Sequence, residues 1–141
     1  MSGAVPFQIR LTLRTGSVYY FADRALHSAE PHFFIVVNRS PLSDELLILA
    51  VVTSQVDKVR RFRKSLPDTL VALDPVLYAE LSKPSIVDCN QVFPKTLKEF
   101  TELFEREEIR HHQDLPGDLL ALIRNAIHAS PIVTPECKKL I

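Results

Sequence analysis

Two uninterrupted apolar runs, Phe33-Phe34-Ile35-Val36-Val37 and Leu46-Leu47-Ile48-Leu49-Ala50-Val51-Val52, constrain this chain more than any other feature. Both are short and rich in β-branched or aromatic residues, so they read as strands. Successive side chains of a strand point to opposite faces, and a run without polar alternation therefore carries apolar groups on both. Such a strand needs cover above and below. A sheet with one wet face is excluded, and the rest of the chain has to supply the covering layers.

The neighbouring segments supply more strands first. Val18-Tyr19-Tyr20-Phe21 has strand composition, and Pro41-Leu42-Ser43-Asp44 marks the turn into the Leu46 run. Thr69 to Leu73 and Ser85 to Val87 are shorter candidates flanked by Pro75 and Pro84, and Gln91-Val92-Phe93 offers a last one. Short strands in this number predict a small barrel. Between the third and fourth, Gln55 to Lys64 repeats Val56, Val59 and Phe62 beside a cationic flank, which predicts an amphipathic helix. After Pro94 the period becomes helical: Leu97, Phe100, Leu103 and Phe104 share a face behind Thr96, a suitable N-cap. A second helix follows Pro116-Gly117 through Leu119, Leu120, Ile123, Ala126 and Ile127 and stops near Ser130-Pro131. These two helices are the predicted cover. His111-His112, adjacent rather than four apart, cannot present two imidazoles to one metal from a helix and is predicted to be an exposed loop.

No repeat, low-complexity tract or composition break divides the 141 residues, which predicts one domain, with a barrel core at about 16–94 and C-terminal helices at about 96–130. Seventeen basic residues against seventeen acidic exclude a chain that grips nucleic acid through its global field, so any such contact is local. The two cysteines, Cys89 and Cys137, suit neither a disulfide framework nor a structural zinc site and read as reduced thiols. No apolar run is long enough to span a bilayer, and the expectation is a soluble cytoplasmic protein without membrane contact. Three glycines cannot build a phosphate-cradling loop, and no serine has a nucleophile-elbow context, so nucleotide-dependent enzymes and the common hydrolases are excluded. No metal or other cofactor is called for.

Three places remain for chemistry, each with an ordinary alternative. Lys58, Arg60, Arg61, Arg63 and Lys64 against the single Asp57 make a local charge of +4, which attracts phosphates or is simply a solvated helix face. The stretch Lys98 to Asp118 is its acidic counterpart, with three cations and seven carboxylates. His32 stands at the mouth of the Phe33 strand after a polar loop holding Asp23, Arg24, His27 and Glu30; it is placed to relay protons or to make a structural hydrogen bond. Thr53-Ser54-Gln55 joins the third strand to the basic helix, where hydroxyls and amides hold an anion or cap the helix.

Taken in order, Gly16-Ser17-Val18-Tyr19-Tyr20-Phe21, Pro31-His32 with the apolar strand and Asn38, Ala50-Val51-Val52-Thr53-Ser54-Gln55, and Pro84-Ser85-Ile86-Val87-Asp88-Cys89-Asn90-Gln91-Val92 resemble the MazF/PemK family of bacterial growth-inhibiting toxins. The resemblance covers roughly Gly16 to Phe104. It implies a mainly β chain with helices, an SH3-like small barrel carrying an inserted basic helix and two C-terminal helices. It also implies a homodimer that cleaves single-stranded RNA without a metal, using the substrate's 2′-hydroxyl as nucleophile, and a cognate antitoxin that neutralises it. The family arginine that opens the second strand falls on His32, the proline after it on Phe33, and the Thr or Ser that closes the third strand on Thr53 and Ser54. Those three residues, His32, Thr53 and Ser54, are then the expected catalytic set, with Arg24, His27, Gln55, Lys58, Arg60, Arg61, Arg63 and Lys64 against the RNA. A histidine can donate or accept a proton but lacks arginine's permanent charge and forked donors. The departure leaves two outcomes, a histidine-based endoribonuclease or a catalytically inactive PemK-like module that binds RNA or peptide.

Overall fold

The two apolar runs are neighbouring strands at the middle of one antiparallel sheet. In the computed structural model, which describes residues 6–26 and 29–141, β1 (Val18–Phe21), β2 (His32–Val36) and β3 (Leu46–Thr53) form a meander with Tyr19 opposite Phe34 and Phe34 opposite Val51. β3 has eight residues and shares its other edge between two partners: Val52 and Thr53 pair with β5 (Ser85–Asp88), Leu46 to Leu49 with β6 (Phe93–Thr96). β4 (Leu70–Leu73) lies outside β5, and β7 (Ile109–His112) lies outside β1. The strand order is β4-β5-β3-β2-β1-β7, with β6 beside β3. The end strands β4 and β7 do not pair with each other, so the barrel is open.

Both faces of this sheet are covered, as the apolar runs demand. Tyr19, Phe21, Phe34, Val36, Leu47, Leu49 and Val51 point to one side and join Phe100 and Leu103 of α3 (Leu97–Glu105) with Ile9 and Leu13 around α1 (Phe7–Thr12). Val18, Ile35, Ile48, Ala50, Val52 and Val87 point to the other and meet Leu119, Leu120, Ile123 and Ile127 of α4 (Gly117–Ala129). Phe34 and Ile35, adjacent in sequence, are each fully buried in different cores. Each such side chain contributes about 1.5–3 kcal/mol by burial. The first core is aromatic: Phe21 stacks on Phe34 at 4.2 Å between ring centres, and Tyr19 meets Phe100 edge-on at 4.8 Å. Thr96 caps α3 through a reciprocal pair of bonds, its Oγ1 accepting the Glu99 amide while the Glu99 carboxylate accepts the Thr96 amide.

Several expectations are corrected. His111-His112 is not a loop: both residues belong to β7, with Tyr19 opposite His111 and Val18 opposite His112. The His112 ring packs 5.0 Å from that of Phe33, and its Nδ1 lies 3.1 Å from Glu80 Oε2. That bond holds the Glu80 carboxyl below its ordinary value. The last strand of the predicted barrel lies at Phe93–Thr96 rather than Gln91–Phe93, and it accommodates Pro94 because its other edge has no strand partner among the described residues. α1 and the short α5 (Pro135–Lys138) have too few residues to show a period and were not expected. The basic helix is α2 (Val56–Phe62), shorter than Gln55 to Lys64, and none of its residues is buried.

Among the described residues no helix is long and apolar enough to cross a membrane. Cys89 and Cys137 are free thiols. Burial, with the Asp88 charge adding to it, pushes the Cys89 thiol up to about 12, so it carries no thiolate at neutral pH.

Candidate functional site

The covered part of the sheet ends where β2 begins and β3 stops. One step past the Phe33–Val52 pair, the antiparallel register sets His32 across from Thr53, and directly opposed side chains lie about 5 Å apart at Cβ. These are also the positions at which both apolar runs turn polar. His32 and Thr53 are partly exposed, and together with Gln55 and Glu30 they line two adjoining clefts. The first, of about 340 Å³, lies on the α3 side of the sheet over Val51, Thr53 and Asp88 and is walled by Lys58, Val59 and Phe62. The second, of about 240 Å³, lies on the α4 side over Tyr20, Phe33 and Val52 and is rimmed by Ser54, Ser82, Lys83 and Ser85. His32, Thr53 and Gln55 form the ridge between them.

His32 has a defined orientation. Its Nδ1 lies 3.1 Å from the Glu30 carbonyl oxygen. A carbonyl only accepts, so in this contact the ring carries a proton on Nδ1, and a neutral ring leaves the Nε2 lone pair for a substrate. Thr53 Oγ1 accepts the Gln55 amide at 3.2 Å, which uses one of the amides that was expected to face an anion. Its own hydroxyl proton remains a donor. Gln55 occupies the cap position of α2 without a side-chain cap bond.

α2 divides the basic run in three. Gln55, Lys58, Val59 and Phe62 recur at helical spacing and face the first cleft. Arg60, Arg61 and Lys64 are exposed away from it. Arg63 turns inward: its Nε donates to Asp88 Oδ2 at 2.9 Å, with side-chain exposures of 15% and 11%. Asp88 Oδ1 in turn accepts the Asn90 amide at 3.1 Å and Asn90 Nδ2 at 2.9 Å, and Asn90 Oδ1 accepts Ser130 Oγ at 2.7 Å. This chain of bonds runs from α2 through β5 to the end of α4. It fixes the wall of the cleft to both layers of the fold.

Of the residues expected to act, the fold brings His32, Thr53, Ser54, Gln55 and Lys58 together. It leaves Arg24 exposed on a one-turn 3₁₀ segment outside both clefts and spends the Arg63 charge on Asp88. His27 lies outside the described residues. The sequence reading did not single out Phe62, Gln91, Ser82, Lys83 or Ser85 as site residues. Only Phe62 carried a signal, as the last member of an apolar stripe that burial fails to claim.

No family model matches the sequence, and no curated protein matches it. Among solved structures, a chain of the MazE–MazF complex (form III) from Deinococcus radiodurans aligns with a TM-score of 0.54 at 17% identity. The alignment covers 84% of this chain and 94% of that one. The fold is MazF-like.

Proposed function

On this MazF-like fold, we propose that the chain is the toxin of a type II toxin–antitoxin pair, an endoribonuclease that cuts single-stranded RNA without a metal. The observation that carries the reading is the meeting of His32, Thr53 and Lys58 on one cleft at the open end of the sheet. The RNA crosses the ridge, with its scissile phosphate over His32 and Thr53 and its flanking nucleotides in the two clefts. The 2′-hydroxyl attacks the adjacent phosphorus, and the bond to the 5′-oxygen of the next nucleotide breaks, giving a 2′,3′-cyclic phosphate and a 5′-hydroxyl. His32 Nε2 takes the 2′-hydroxyl proton and later releases it to solvent, while water in the open cleft protonates the departing 5′-oxygen. The Thr53 and Ser54 hydroxyls donate to the phosphate oxygens as charge builds there. Lys58 supplies a cation on the cleft wall in place of the guanidinium that His32 lacks.

The MazE–MazF pairing of the similar structure supports an antitoxin partner for this chain. Expression from a tightly controlled promoter tests the function: growth arrest with RNA fragmentation supports it. Purified protein should cut an unstructured RNA equally well with a chelator present. Intact RNA with retained binding would instead favour the inactive PemK-like module, for which the replacement of arginine by His32 is the argument.

A further inference from the structure

Phe62 is the most conspicuous unspent group on the cleft. It is 75% exposed, although it belongs to the only apolar stripe of α2, and it lines the wall facing His32 and Thr53. An exposed phenyl ring forgoes its burial free energy unless something else covers it. One side of the ring is already occupied. The Arg63 guanidinium carbon lies 4.6 Å over the ring centre, and that guanidinium cannot drift because its Nε is bonded to the buried Asp88. The ring is thus backed on one side by a guanidinium held in the Arg63–Asp88–Asn90 chain, and it lines the cleft while remaining largely exposed. Lys58 stands one turn before it on the same wall, and Arg60 and Arg61 lie exposed on the neighbouring face of the helix.

We propose that Phe62 is a stacking platform for one nucleobase of the RNA, next to the scissile phosphate, with Lys58 and the outer arginines holding the backbone on either side of it. The proposal rests on the RNA reading of the cleft and names a contact within it. Aromatic rings amid cations are how single strands are held without base-pair readout, because every base has a π face. Arg63 polarises the ring from behind, and the exposed ring accepts a base in the offset arrangement that aromatic pairs prefer.

The test uses a 2′-O-methyl oligoribonucleotide, which binds but has no nucleophile, and the same strand with abasic sugars throughout. Removing a base stack costs roughly 5- to 150-fold in affinity. Phe62→Ala should weaken binding of the base-bearing strand by that factor and leave the abasic strand within about twofold of the parent. Its melting midpoint should stay within roughly 2 °C of the parent, since the ring is not part of either core. The chain has no tryptophan, so Phe62→Trp introduces a single indole. That variant should bind like the parent, with emission quenched by the base-bearing strand and not by the abasic one. The proposal is overturned if Phe62→Ala binds the base-bearing strand as the parent does, if it weakens both strands equally, or if the Phe62→Trp emission does not move at saturation. It is overturned in favour of protein docking if Phe62→Ala weakens capture of an acidic peptide while leaving both oligonucleotides alone. A parent chain that binds neither strand refutes the RNA reading itself and takes the platform with it.

Discussion

Replacing Asp88 with alanine should loosen the α2 wall from the sheet, and the expected cost follows from the bonds it makes. Asp88 is 8% exposed and serves three donors: Arg63 Nε, the Asn90 amide and Asn90 Nδ2. Asn90 Nδ2 keeps Thr69 Oγ1 at 2.7 Å, so it is not orphaned. The Asn90 amide is, and a buried donor without a partner costs about 1–3 kcal/mol. Arg63 retains some access to water, which places its loss near 1 kcal/mol rather than the several kcal/mol of a fully buried pair. The sum is about 2–4 kcal/mol. At about 2.1 cal/mol/K per residue, unfolding 141 residues carries an entropy near 0.3 kcal/mol/K, so the melting midpoint should fall by about 7–13 °C. Asp88→Asn keeps an acceptor for the Asn90 amide and should lose about half as much. Calorimetry on both variants, with Arg63→Met and the double variant completing a cycle, measures the shared part. A midpoint for Asp88→Ala within 2 or 3 °C of the parent, taking ~0.3 kcal/mol/K as the unfolding entropy, would refute the claim that this carboxylate anchors the cleft wall.

Three further outcomes follow. His32→Ala should abolish RNA cleavage without unfolding the chain; a rate that survives the substitution removes His32 from the mechanism. Reversing Arg60 and Arg61 to Glu should weaken RNA binding and flatten its dependence on the logarithm of salt concentration by about 0.7 per lost phosphate contact, and an unchanged slope returns these residues to a solvated face. Asp23 is bonded to Lys95 at 2.9 Å; burial raises its carboxyl, but the Lys95 bond, the Ala25 amide and the Lys95 charge outweigh it and hold it below the ordinary 3.8. A depressed acid contributes stability above its unfolded value and loses it as pH falls through the folded one. Urea midpoints for Asp23→Asn should therefore converge on the parent's below about pH 3.8 and lie under it at neutral pH, and equal midpoints throughout would refute the pairing.

What the sequence disclosed depended on range. The strands Phe33–Val37 and Leu46–Val52 were legible because two-sided apolarity is a property of a few consecutive residues, and the Thr96 cap because it directly precedes the periodic run that starts at Leu97. His32 and Thr53 were legible as the points where those runs turn polar. β7 was not: Ile109-Arg110-His111-His112 has one residue of strand character, and its pairing with β1 is decided by partners ninety positions away in the chain. The basic run looked uniform for the same reason. Nothing local distinguishes Arg63 from Arg61, and only Asp88, 25 residues later, removes one of them from the free charge.

The placement of the cleft follows from the two-sided apolarity of β2 and β3. A strand apolar on both faces has to stay under cover for its whole apolar length, and water reaches it only where the run ends. β2 and β3 are antiparallel neighbours, so the start of one and the end of the other coincide, and their first uncovered residues, His32 and Thr53, become adjacent without any sequence proximity. The two cores lie on opposite sides of the sheet, and the end of the sheet therefore opens to both sides at once, giving two clefts that share a ridge rather than one pocket. A small ligand needs enclosure on several sides, which neither half of this site provides. A strand that passes over an edge, with a reactive centre at the crest and contacts on both slopes, is the shape that such an edge accommodates. The same geometry makes the helix beyond β3 the natural wall of one slope. This places Lys58 and Phe62 on the same cleft as His32 and Thr53 even though the helix itself adds nothing to either core.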